Sequence, residues 1–126
     1  MGGILKFEIP DFSIKSQKDT SDSISTVPVS FKPWAIDPQE QQQVIKHLAA
    51  TVAHAGRIEQ ERGVCLHVGL EPEPACFLET TEETIDFFET ETLGEGLIHF
   101  QKLAGIDASA AEMWMRRHLG VCLDTC

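Results

Sequence analysis

The chain has no tyrosine, only 10 Lys and Arg against 20 Asp and Glu, and no C-x-x-C pair among its four cysteines. Each shortage removes a class of function. A formal charge of −10 repels a phosphate backbone instead of releasing its counterions, which argues against nucleic acid as a partner. Nowhere do the ~18 apolar residues of a membrane span run together, and no basic amphipathic stretch offers a membrane-surface helix. Residues 1–10 hold only Ile4 and Leu5 ahead of Lys6, far short of the apolar core of a secretory signal, so a cytoplasmic protein is expected. Lys6 stands where N-myristoylation wants Ser or Thr, and Cys126 is not fourth from the end, as prenylation wants. Cys65 and Cys122 lie inside apolar strand-like runs, and all four cysteines read as reduced core thiols rather than as a zinc framework.

What is present is a chain of 126 residues, 42% hydrophobic, long enough for one α/β unit. Residues 1–22 read as a poorly defined N-terminal segment: a short run at 4–9 ended by Pro10 could be an edge strand, and the polar stretch at 11–22 keeps no sustained period. From Ser23 the pattern sharpens. Residues 23–27 are β-prone, and Pro28, Pro33 and Pro38 punctuate the loop that follows. Asp37-Pro38-Gln39-Glu40 supplies a helix N-cap, a proline at the first helical position and a glutamate three after the cap. The helix it opens buries Val44, Ile45, Leu48, Val52 and Ala55 and ends near Arg62, before Gly63.

Residues 64–70, Val-Cys-Leu-His-Val-Gly-Leu, form the nearly unbroken apolar run of a parallel strand covered on both faces. Thr80 with Glu83 opens another helix, which Gly94 and Gly96 should interrupt or bend, followed by a helix over about 97–104. Ser109 with Glu112 predicts a cap for a last helix reaching His118, and residues 119–123 give a third buried strand. The order β-α-β-α-α-α-β implies parallel pairing through crossovers. The fold class expected is therefore α/β, a partial (β/α)8 barrel of about three parallel strands over residues 23–126. A closed barrel takes about 250 residues, so a complete one does not fit in this length.

Alternation places Cys65, His67, Gly69 and Glu71 on one face of the second strand, and Gly120, Cys122 and Asp124 on one face of the third. Glu71 and Asp124 thus fall at C-terminal strand ends, where barrel loops surround a shared cleft. They are the leading candidates for catalysis and for holding a divalent cation, since paired carboxylates repel unless a proton or a metal intervenes. The competing reading makes them helix caps or solvated loop acids. Glu73, between Pro72 and Pro74, is either a further site carboxylate or a rigid-loop residue facing solvent. His67 is either a ligand or acid/base group or a satisfied core histidine. Trp34 follows the first strand at the same rim, walling a ligand pocket or packing its loop on the core. His47, His54, His99 and His118, on helices or helix ends, read as surface residues.

Three segments carry a resemblance: Ser23-Ile24-Ser25-Thr26-Val27-Pro28, the run Leu70-Glu71-Pro72-Glu73-Pro74, and Arg116-Arg117-His118-Leu119-Gly120-Val121-Cys122-Leu123-Asp124. Over about 22–126 the sequence resembles the xylose-isomerase-like TIM barrels, which include sugar-phosphate isomerases, epimerases and endonuclease IV, and within them the EboE-type metabolite traffic proteins. The resemblance implies that Glu71 is the metal ligand ending the fifth barrel strand and Asp124 the aspartate of a strand-six D-x-x-H motif, whose histidine would follow Cys126. Related barrels often carry a histidine before Pro-Gly on the preceding strand, where this sequence reads Thr26-Val27-Pro28-Val29.

Three functions compete. One is a metal-assisted isomerase or epimerase of a small sugar-like substrate, with Glu71 and Asp124 on Mn²⁺, Mg²⁺ or Zn²⁺. The second is a protein handling a small polar metabolite without turnover, and the third a truncated product without activity of its own. The open edges of a barrel sector also predict self-association. Two carboxylates being too few ligands for tight selective binding, the chain by itself should hold such a metal weakly.

Overall fold

A computed structural model describes residues 21–27, 29–34 and 36–124, so the expected edge strand at 4–9 and the polar segment over 11–20 lie outside the described residues. The fold is α/β. Strand β1 (Ser21–Thr26), a 3-10 turn (Lys32–Trp34), helix α1 (Pro38–Arg62) and strand β2 (Cys65–Leu70) come first. Helix α2 (Thr81–Asp86), a π-helical stretch (Phe87–Gly96), α3 (Leu97–Ala104), α4 (Ala108–His118) and strand β3 (Leu119–Val121) follow. The strands form one open parallel sheet in the order β1-β2-β3, with Ser21 opposite Cys65 and Leu70 opposite Val121. Strand limits differ from the sequence expectation by one or two residues, as strand ends do when flanking loops take up the pairing.

Both capping boxes read from the sequence are present. Asp37 accepts from the Glu40 backbone N–H at 2.9 Å while the Glu40 carboxylate accepts from the Asp37 N–H, and Thr80 and Glu83 repeat the exchange. Helix α1 ends where Gly63, at φ 70°, takes the left-handed conformation that a side chain disfavours and donates its N–H to Glu59. The cap of α4 is different from the one expected. Asp107, not Ser109, accepts from the N–H three residues on, because a carboxylate at that position matches the helix N-terminal charge better than a hydroxyl two residues further in.

Gly94 and Gly96 do not interrupt the helix: residues 81–104 stay helical, with the α winding giving way to π-helix over Phe87–Gly96. Thr92 donates its hydroxyl to the Phe88 carbonyl at 2.6 Å, and Gly96 serves packing, since a Cβ there would stand 3.3 Å from the Ile45 side chain of α1. The core gathers Ile45, Ala49 and Val52 of α1 with Leu70, Phe87, Phe100, Met115 and Leu119, between the helices and one face of the sheet. At the α1–α4 crossing, the indole of Trp114 occupies the space beside Gly56, within 2.0 Å of where a Cβ would be.

Strand β1 is covered by none of the described helices to any extent, and Ile24 is 57% exposed. Among the described residues, therefore, no helix covers the edge strand or the second face of the sheet. No helix among the described residues is long and apolar enough to cross a membrane.

Candidate functional site

The parallel register puts the C-terminal ends of β1, β2 and β3 at one end of the sheet. The Glu71 N–H donates to the Thr26 carbonyl at 3.0 Å, and the Cys122 N–H donates to the Leu70 carbonyl at 2.9 Å. Pairing thus continues just past β1 and β2, and Glu71 and Asp124 both follow the same end of the sheet. Glu71 is half-buried and Asp124 exposed.

The loops after β1 and β2 are joined over this end. Phe31 and Cys76 form an antiparallel bridge, with the Lys32 N–H donating to Ala75 at 2.8 Å and the Phe77 N–H to Ser30 at 2.6 Å. Two non-glycine residues in these loops have left-handed backbones, Val29 at φ 68° and Ala75 at φ 60°. Such conformations cost on the order of 1–3 kcal/mol each and gather at ligand-contacting loops. Glu73 is exposed at the tip, its N–H bonded to the Leu78 carbonyl at 3.1 Å. Trp34 is 78% exposed and meets the Phe31 ring edge-on at a centroid distance of 5.7 Å, so its indole face is open to solvent.

Below these loops the Lys32 ammonium bridges Glu79 at 2.6 Å and Glu83 at 2.8 Å. The hydrogen bond from Lys32, with those from the Thr80 and Glu79 N–H groups, pulls the Glu83 carboxyl down to about 2, and the two carboxylates raise Lys32 in turn. This cation ties the rim loop to the start of α2.

His67 sits lower on the uncovered face, half-buried, with no hydrogen-bond partner among the described residues. Its ring leans over Gly120, whose absent Cβ would lie 2.8 Å from Nε2. Gly69 makes the matching allowance for Cys122, at 3.1 Å from its Cβ. Small residues on this face therefore make room for the imidazole and the thiol.

The opposite end of the sheet holds a group the sequence did not single out. Glu59, Cys65 and His118 bring a carboxylate oxygen, a sulfur and an imidazole nitrogen within 4.8 Å of one another. Among the described residues it is at this end, not beside Glu71 and Asp124, that three such donors meet. His118 is fully buried, which corrects its expected place at the surface. Its position in the buried row Ala111, Met115, His118, spaced by four and three, was the available signal. Arg117 clamps Glu59, donating from Nε at 2.9 and 2.8 Å to its two oxygens, and this hydrogen bonding holds the Glu59 carboxyl below its ordinary range.

No family model, curated protein or solved structure matches the chain.

Proposed function

We propose that the chain is a sector of a xylose-isomerase-like barrel of the EboE type, and that the C-terminal end of its sheet handles a small polyhydroxylated metabolite. The observation that carries the reading is the register that sends Glu71 and Asp124 off the same sheet end, under loops with strained backbones at Val29 and Ala75. Carboxylates accept hydrogen bonds from hydroxyl groups, and the open indole face of Trp34 suits the C–H face of a sugar ring. Further β/α units would pair on the free edges of β1 and β3 and close the wall around His67.

The chemistry at this end is binding. A metal-dependent isomerase would take Glu71 and Asp124 as two ligands and need at least one more, since a catalytic divalent ion is generally held by three or more protein ligands. Among the described residues the group of three close donors is Glu59, Cys65 and His118, at the other end of the sheet.

Trp34 fluorescence tests the proposal. In a Trp114→Phe background, neutral aldoses, ketoses and polyols titrated singly should change the emission saturably for at least one compound, and Glu71→Gln should abolish the change. Emission that moves only linearly with every compound, or equally in Glu71→Gln, contradicts it.

A further inference from the structure

At the N-terminal end of the sheet, remote from Glu71, Cys65 opens β2, His118 closes α4 just before β3, and Glu59 lies in the last turn of α1. His118 Nδ1 is 2.8 Å from the Leu66 carbonyl oxygen, and since a carbonyl only accepts, Nδ1 carries the proton. In the neutral ring Nε2 then presents a lone pair. That nitrogen is completely buried and makes no hydrogen bond, although Glu59 Oε2 lies only 3.1 Å away.

With the proton on Nδ1, Nε2 and the Glu59 Oε2 are both acceptors, so in the neutral ring two lone pairs face each other across 3.1 Å with no hydrogen between them. A tetrahedral ion about 2.0–2.2 Å from both atoms would separate them by roughly 3.3 Å, close to the spacing present. Two buried lone pairs facing each other at this spacing suit a metal ion between them. Nδ1–H bonded to a backbone carbonyl is also the orientation that fixes a metal-binding histidine.

We propose that Glu59, Cys65 and His118 bind a thiolate-seeking divalent ion of the zinc class. Sulfur, imidazole and one carboxylate form a donor set that zinc accepts and that magnesium, calling for oxygen ligands, does not. Arg117 fixes the Glu59 carboxylate, with Nε and Nη2 both donating to Oε1 and Nε also to Oε2, so that Oε2, the oxygen beside His118, keeps a lone pair for an ion. A cleft bordered by Gln60, Met113, Trp114 and Arg116 opens onto Glu59 and Cys65 and gives the ion a way in, with solvent water completing its coordination. Binding displaces the Cys65 thiol proton to solvent, so affinity rises with pH. By tying α1, β2 and α4 together, the ion would lock the sheet to its helices.

Cobalt(II) is the probe, titrated into the full chain with its thiols kept reduced. One Co²⁺ per chain should bind, with a thiolate-to-cobalt charge-transfer band and the visible bands of tetrahedral cobalt, and Zn²⁺ should displace it. Cys65→Ser should remove the charge-transfer band, while Cys122→Ser should leave it intact. Glu59→Gln keeps the thiol and should weaken binding at least about tenfold. The proposal is overturned by a wild-type chain showing no thiolate band at millimolar Co²⁺, by a band that survives Cys65→Ser, or by unchanged affinity in Glu59→Gln.

Discussion

The imidazole of His67 lies over the backbone of Gly120, with Nε2 2.8 Å from the point a Cβ would occupy. The two residues belong to neighbouring strands, and Gly120 is paired with Gly69, whose own missing Cβ faces Cys122. The uncovered face of the sheet is shaped by this exchange of glycines for a ring and a thiol.

The two glycines should respond differently to alanine. At Gly120 the obstruction is the tip of a half-buried side chain that can swing aside, and alanine in a strand recovers roughly 0.5–1 kcal/mol of backbone entropy. Gly120→Ala should therefore change stability by less than about 1 kcal/mol while displacing the His67 ring. At Gly69 the neighbours are the Cys122 Cβ at 3.1 Å and its backbone nitrogen at 3.3 Å, which cannot move independently of β3. Gly69→Ala should cost about 1–3 kcal/mol. Urea unfolding gives both energies, and the imidazole ¹H–¹³C resonances of His67 report its displacement.

Acid should weaken the rim through Lys32. Glu83 has its carboxyl lowered from 4.5 to about 2 in the folded chain, so its stabilising contribution is full above 4.5 and is lost as the pH falls toward 2. The raised Lys32 acts in the opposite sense, its share being present below 10.5 and lost as the pH climbs through its raised folded value. Lys32→Met should lower Tm at pH 5–7, and the difference from wild type should shrink on acidification and on adding salt, because the groups are solvent-accessible. A pH-independent difference would contradict the assignment.

Much of this architecture was legible in the sequence, because it is written in local signals. The boxes at Asp37/Glu40 and Thr80/Glu83 fix two helix starts, and the apolar run at 64–70 reads as a central strand because both of its edges are paired. What was not legible depends on contacts distant in sequence. The glycines at 94 and 96 suggest a break, yet packing of Gly96 against Ile45 keeps the segment helical. Glu59 and His118 are 59 residues apart, at the C-terminal ends of two helices of no special composition, and only the folded α1–α4 contact brings them to Cys65.

The uncovered faces predict association between copies. Among the described residues none covers the outer edge of β1, and Ile24 projects from the strand largely exposed. Sedimentation velocity should show a weight-average mass rising with concentration above the 14.0 kDa chain, and Ile24→Lys should suppress the rise. A chain that stays monomeric across the range would show that the edge is protected.

The most direct test of the binding role is backbone and indole NMR of the full chain titrated with the sugars and polyols named above. Shifts confined to the amides of Glu71, Glu73 and Leu123 and to the Trp34 indole, saturating together and lost in Glu71→Gln, are what the account predicts. Shifts centred on Cys65, Trp114 and His118, or none with any compound, would contradict it.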